Sequence, residues 1–80
     1  MSSLEFTEYL VKELSTNPDS VSVKEFDDDE YKVIEVLVSS DDISRIIGKQ
    51  GSNINAIRTL VQSQAYLNNE KKIKINIDSF

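Results

Sequence analysis

The sequence predicts an α+β fold in which three helices pack on one face of a three-stranded mixed sheet, in the order α-β-β-α-α-β. Three observations support this fold: apolar residues at helical spacing, three segments in which apolar and polar residues alternate, and two glycines between two helical segments. Eighty residues are enough for one domain, which we place at residues 1–80. A content of 39% hydrophobic and 29% charged residues is typical of a globular chain.

The first element is predicted to be a helix. Ser2 and Glu5 have the spacing of a capping box, in which each side chain bonds the backbone amide of the other residue. Apolar residues then recur at helical intervals: Phe6, Leu10, Val11 and Leu14. Asn17-Pro18 ends the helix, because the residue before a proline is driven out of the helical region.

The next two elements are predicted to be strands joined by an acidic turn. Val21 and Val23 alternate with polar residues, whereas the run 27–30 (DDDE) breaks the alternation and should be exposed. The second strand is YKVIEVLV, residues 31–38, and its buried face carries Ile34, Val36 and Val38. Its other face carries Tyr31, Val33 and Leu37. That face is more apolar than a solvated face usually is, so it is either an ordinary surface or a protein interface.

Two further helices are predicted around the glycines. The run 39–42 (SSDD) offers capping hydroxyls and acids to a helix that must be short, because Gly48 follows six residues later. Ser52 is expected to cap the next helix, which Asn68-Asn69 ends. The apolar residues of that helix are Ile54, Ile57, Leu60, Val61 and Ala65.

The last strand lies in KKIKINID, where apolar and polar residues alternate throughout. Its inward residues are Ile73, Ile75 and Ile77, and its outward residues are Lys72, Lys74 and Asn76. We interpret its lysines, together with Lys71, as protection of a sheet edge rather than as ligand contacts.

The stretch IIGKQGSNI, residues 46–54, contains both glycines of the chain. Gly48 and Gly51 enclose a two-residue tip, and glycine permits the left-handed backbone angles that a tight loop needs. The amides that begin the following helix point outward with the positive end of its dipole, which suits a phosphate. Lys49 adds a mobile positive charge and Gln50 adds a hydrogen-bonding amide, so the loop is a candidate phosphate-binding site. The alternatives are a plain helix–turn–helix corner and a nucleotide-binding P-loop, and the P-loop needs a longer spacing and a Lys-Ser/Thr pair after its second glycine.

IIGKQGSNI resembles the Ile-Gly-x-x-Gly-x-x-Ile signature of KH domains, which hold about four nucleotides of single-stranded RNA or DNA. With EYLVKELSTNPDSVSV and AIRTLV, nearly the whole chain is similar to the small bacterial single-KH RNA-binding proteins of the KhpA family. That resemblance implies a type II KH fold and a part in an RNA-chaperone or regulatory complex. Ser52 departs from the family, whose members often carry a basic residue there, and Asn55 also lacks a charge, so the electrostatic share of binding should be smaller.

The loop chemistry and the resemblance together predict a non-enzymatic site for single-stranded RNA. The phosphate backbone should cross the loop, held by amides, Lys49 and Arg45, while bases lie on Ile47 and Ile54 and face the second strand. The predicted site residues are Arg45, Ile47, Gly48, Lys49, Gln50, Gly51, Ser52, Ile54 and Arg58.

The distribution of charge favours this function, although the net charge is −5. Residues 1–42 hold three basic and twelve acidic side chains, a net charge of −9, whereas residues 43–80 hold six basic and two acidic ones, a net charge of +4. An asymmetry of this kind suggests that one surface faces a polyanion.

The composition argues against other classes of function. The chain has no histidine and no cysteine, so we expect no enzymatic activity, no metal and no cofactor, and no small-molecule substrate. No apolar run reaches the roughly 18 residues of a membrane span, and the N-terminus lacks the basic start of a signal peptide. We therefore expect a cytoplasmic location and no membrane partner.

The expected partners are single-stranded RNA and a second protein chain. The resemblance implies a homodimer, or a heterodimer with a larger KH-containing protein. A rival interpretation is a protein-interaction module that keeps a KH fold but has little affinity for RNA, and the net acidity and Ser52 favour it.

Overall fold

A computed structural model describes all of residues 1–80. The helices are α1 (Ser3–Leu14), α2 (Ile43–Ile47) and α3 (Ser52–Leu67), and the strands are β1 (Ser22–Asp27), β2 (Tyr31–Val38) and β3 (Lys72–Ser79). Single 3₁₀ turns lie at Pro18–Ser20 and Lys49–Gly51. The chain order α-β-β-α-α-β is the predicted one.

The capping box at the start of α1 is confirmed. The Ser2 hydroxyl accepts a hydrogen bond from the Glu5 amide at 3.1 Å, and the Glu5 carboxylate accepts one from the Ser2 amide at 2.9 Å. The helix ends at Leu14, ahead of Asn17-Pro18. The local signals of capping and proline therefore set both ends of α1.

The three strands form one mixed sheet in the order β1-β2-β3. β1 and β2 are antiparallel, with Val23 opposite Val36, and β2 and β3 are parallel, with Ile34 opposite Ile75. β1 continues to Asp27, so the turn is one residue shorter than the predicted acidic turn at 27–30. β2 lies at the centre of the sheet and has both edges paired.

The core lies between the sheet and the helices, which all cover the same face. It is formed by apolar side chains that are almost completely buried: Val11, Ile34, Val36, Val38, Ile46, Ile54, Ile57, Val61 and Ile75. Of the apolar residues predicted on α3, Leu60 is 50% exposed and lies outside the core. Asn68 ends α3 and Asn69 follows with a left-handed φ of 57°, as asparagine tolerates.

Two predicted helix caps are wrong. Ser52 is the first residue of α3, and Gly51 holds the cap position in a left-handed conformation. The hydroxyls of the run 39–42 were predicted to cap α2, but the residue at the cap position is Asp42, and no side chain makes a capping bond there. The Asp42 carboxylate instead accepts hydrogen bonds from the amides of Thr16 and Asn17 at 3.0–3.1 Å and from the Thr16 hydroxyl at 2.7 Å. Asp42 thus ties the start of α2 to the segment that follows α1, and the Thr16 hydroxyl is the main cause of its lowered pKa.

Candidate nucleic-acid interface

The loop between α2 and α3 depends on two glycine conformations that differ. Gly48 has φ 76° and ψ 174°, a region that is populated almost only by glycine. Gly51 has φ 77° and ψ 14°, the left-handed helical region that asparagine also visits. The Gly51 amide donates to the Gly48 carbonyl at 3.2 Å and closes the turn. Gln50 adopts a left-handed φ of 56°, which the sequence did not indicate.

Asn53 fixes the loop against the preceding helix and was missed by sequence reasoning. Its side-chain amide donates to the backbone carbonyl of Arg45 at 2.8 Å, across the loop. It also packs over Gly48, where an added Cβ would lie 2.8 Å from Asn53 Cγ and 2.9 Å from its backbone nitrogen. An amide side chain two residues after the second glycine is the signal that could have identified this bond. The loop is therefore braced from behind, while Lys49 and Gln50 point to solvent.

Three of the predicted site residues are cations, and none of them has an acidic partner. Arg45 and Lys49 are exposed and form no ion pair. Arg58 donates to the Ile75 carbonyl at 3.0 and 3.3 Å and to the Asn55 side chain at 3.2 Å. These three bonds leave two of its five N–H groups free and hold its guanidinium in place beside β3.

The apolar side chains of the predicted site differ in how much surface they offer. Ile47 is partly buried against the core, whereas Ile54 is 4% exposed and belongs to the core itself. Ile54 therefore supports this surface from below and exposes almost none of its own side chain to a ligand. The exposed Ser52 lies directly beside Gly51.

The strand that packs against α3 is β3, whereas the expectation that bases face the second strand stays a prediction. β2 has no free edge, because β1 pairs with one side and β3 with the other. α3 packs along the free edge of β3, and two of its side chains bond that edge: Arg58 at the Ile75 carbonyl and Gln62 at the Ile73 amide, the latter at 2.9 Å. The sheet edge next to α3 therefore belongs to the last strand.

The lysines at 71, 72 and 74, around the start of β3, differ in their contacts. Lys71 lies 3.5 Å from the carboxylate of Asp27 and donates to the Asp28 carbonyl at 2.9 Å, which joins it to the hairpin turn. The Lys74 ammonium lies 4.3 Å from the centre of the Tyr31 ring, in a cation–π contact on the sheet face opposite the helices. Lys72 has neither an ion-pair nor a hydrogen-bond partner.

The structure groups no three acidic, histidine or cysteine side chains in a way that could hold a metal ion. None of its helices combines the length and the apolar character that crossing a membrane requires.

Comparison with known proteins gives one consistent family. The model of the KhpA/KhpB KH domain matches residues 5–78. The chain is 42% identical over 67 residues to the RNA-binding protein KhpA of Chlamydia caviae, covering 84% of this chain and 86% of that protein. It is 38% identical over 73 residues to the RNA-binding protein KhpA of Caldanaerobacter subterraneus, covering 91% and 96% of the two chains.

Solved structures agree on the fold. A crystal structure of Aquifex aeolicus Era bound to GDP and AlF4⁻ superposes with a TM-score of 0.67 at 20% identity, over 96% of this chain and 29% of that one. The chain thus corresponds to less than a third of the length of Era. From the family model and the identities to curated relatives, we conclude that the chain belongs to the KhpA/KhpB KH-domain family, a family of binding proteins rather than enzymes.

Proposed function

We propose that this protein binds single-stranded RNA through the Gly48–Gly51 loop and the surface beside it. The observation that carries the proposal is the braced loop at the start of α3, with Lys49 and Gln50 at its exposed tip. Glycine at both ends lets a phosphate approach the backbone closely, and the positive end of the α3 dipole favours negative charge there. Relatives that are named RNA-binding proteins support the same ligand.

The predicted site residues have separate roles in this proposal. Arg45 and Lys49 attract phosphates as free cations, and Arg58 offers its two unused N–H groups. Gln50 and the Ser52 hydroxyl add neutral hydrogen bonds. The aliphatic contact for bases comes from Ile47, with Ile54 as its buried support. Gly48 and Gly51 supply the backbone shape.

The ligand should be a single strand rather than a duplex. A duplex is bound mostly through phosphates spread over a wide basic surface, whereas this loop has only a few free cations. Acidic residues also crowd the β1–β2 turn, so that part of the surface repels a polyanion. The RNA-facing surface is therefore narrow, which suits the roughly four nucleotides that a KH domain holds.

We also propose that the protein acts in the cytoplasm as part of a dimer, either with itself or with a larger KH-containing protein, within an RNA-chaperone or regulatory complex. A site with few cations binds weakly, and a linked second site can raise avidity by roughly 10²–10⁴. The name of the matching family model joins two KH proteins, which supports a partner of this kind. A candidate surface is the sheet face opposite the helices, where Val33 and Leu37 are only partly buried and Phe26 is 50% exposed.

The test is the double variant Lys49→Asp with Gln50→Asp. Both side chains are exposed, and aspartate tolerates the left-handed angle at position 50, so the fold should be kept. Two negative charges at the tip should abolish binding to a pool of short RNAs, measured by fluorescence anisotropy.

The matched control is Lys24→Asp with Ser20→Asp. It changes the net charge by the same amount at two exposed positions outside the loop. The control should bind much as the wild-type protein does. If the loop variant binds as well as the control, the site is elsewhere. If the wild-type protein binds no RNA at all, the interaction-module interpretation is correct.

A further inference from the structure

We propose that the bound strand continues past the loop into a groove along α3, where a further base stacks on Tyr66. This inference rests on the proposed RNA-binding function. The groove has a volume of about 860 Å³ and lies between the C-terminal half of α3 and the start of β3. Arg58 lines one end of the groove, Ile73 of β3 lines its side, and the other end is lined by Tyr66, Leu67 and Lys72.

Arg58 connects the two parts of this path. It belongs to the predicted loop site, and it also lines the groove. At a rise of 1.5 Å per residue, Arg58 lies about 9 Å along α3 from Ser52, and Tyr66 lies about 12 Å beyond Arg58. Stacked nucleotides are spaced by roughly 3.4 Å, so this second interval has room for a few nucleotides beyond those at the loop.

The far end of the groove exposes large apolar side chains that have no packing role. Tyr66 and Leu67 are each 78% exposed at the end of α3, although their neighbour Ala65 is completely buried. A tyrosine ring gives a stacking surface to any base, while its hydroxyl stays in water. The loop itself has no aromatic residue, so Tyr66 adds a type of contact that the loop cannot make.

The charges around the groove favour an anionic ligand. Lys72 is exposed and forms no ion pair, and Arg58 has N–H groups to spare. The one acidic residue that lines the groove is Glu70, whose carboxylate lies 2.9 Å from the Lys32 ammonium and accepts a bond from the Ser3 hydroxyl. The hydrogen bond between Lys32 and Glu70 lowers the pKa of Glu70 and raises the pKa of Lys32. Because the two form an ion pair, their charges compensate each other. The remaining charge of the groove is positive.

Gln62 gives the middle of the groove a polar group of fixed direction. Its side-chain oxygen accepts the Ile73 amide at 2.9 Å, so its NH₂ group is left free to donate. A base that lies between Arg58 and Tyr66 could present a ring carbonyl or nitrogen to it. The groove thus combines a stacking surface, a donor and two cations.

The experiment compares pools of four-nucleotide and eight-nucleotide single-stranded RNA by fluorescence anisotropy at one salt concentration. An eight-nucleotide strand offers five frames to a four-nucleotide site, which alone improves affinity about fivefold. Stacking on Tyr66 should add about 5- to 150-fold for the longer pool only. Tyr66→Ala should remove that addition, and Tyr66→Phe should keep it. The matched control is Tyr9→Ala, an aromatic on α1 that is 51% exposed and outside the groove.

The outcomes separate this inference from the proposed function. If Tyr66→Ala weakens the longer pool no more than Tyr9→Ala does, the groove does not bind RNA. An equal loss for both lengths also overturns the inference, because Tyr66 would then belong to the four-nucleotide site. If the wild-type protein binds neither pool, the proposed function itself fails.

Discussion

The two glycines of the loop should differ sharply in their tolerance of a side chain. Both have a positive φ, and the Gly-x-x-Gly pattern by itself does not distinguish one glycine from the other. The perturbation is replacement of each glycine by alanine and by asparagine. We expect Gly48→Ala to destabilise the fold much more than Gly51→Ala, and asparagine to be tolerated only at position 51.

The loss of stability expected for Gly48→Ala has two parts. Its backbone angles of 76° and 174° cost any other residue about 1–3 kcal/mol. The new Cβ would also lie 2.9 Å from the backbone nitrogen of Asn53, which cannot move aside as a flexible side chain could. Such overpacking costs about 1–3 kcal/mol more, so we expect a total loss of about 2–6 kcal/mol.

The cost at Gly51 is smaller because only the backbone term applies. A Cβ there meets Asn55 Nδ2 at 3.4 Å, an ordinary contact. The left-handed angles cost alanine about 1–2 kcal/mol and asparagine less. From the lower and upper ends of the two ranges, Gly48→Ala should lose about 1–4 kcal/mol more than Gly51→Ala.

The assay is urea unfolding followed by circular dichroism, with the free energy of unfolding taken from the midpoint and slope of each curve. A chain of this size is stable by roughly 4–12 kcal/mol, so Gly48→Ala removes a large share of its stability. Equal losses for the two alanine variants would refute the reasoning, and so would a Gly48→Asn variant as stable as Gly51→Asn.

Three other outcomes are expected. The slope of log affinity against log salt for four-nucleotide RNA should be about −1.5 to −2, since two or three cations each contribute about −0.7, and a slope near −5 would mean that the lysines at 71–74 also take part. The pKa of Asp42 is lowered in the folded protein, so its stabilising effect is present above the unfolded value near 3.8 and is lost as the pH falls below it. Thermal unfolding from pH 7 to pH 2 should show that loss, whereas Asp42→Asn should have a lower melting temperature at pH 7 and a flatter acid profile. Light scattering at micromolar concentration should give a mass above one chain, alone or with a KH partner, and a strict monomer that binds short RNA tightly would contradict the proposed dimer.

The elements of this fold could be predicted because their signals are local. The bounds of β2 and the capping box of α1 follow from alternation and from a spacing of three residues. Strand order is different, since alternation alone does not say that β2 is central and that β1 and β3 are the edge strands. Leu60 shows the same limit, because helical spacing alone does not tell which apolar residue of α3 stays exposed.

The candidate site shows the same difference between features that a local pattern predicts and features that it does not. The loop residues are contiguous, so the motif locates them without knowledge of the fold. Ser52 misled the prediction, because a serine is a good cap in general but Gly51 is already in place to begin the helix. The bonds of Arg58 to Ile75 and of Asp42 to Thr16 join residues 17 and 26 positions apart, and no local pattern carries that information.

The hydrogen bond from Asn53 to the Arg45 carbonyl bears on the kinetics of binding. Fixing one residue of a mobile loop costs about 1–2 kcal/mol of backbone entropy, and here folding has already ordered the loop before any ligand arrives. Encounter with RNA therefore needs no slow rearrangement and should be limited by diffusion and by electrostatic attraction. Variants that keep this bond should then differ mainly in how long the RNA stays bound, whereas Asn53→Ala should slow its capture.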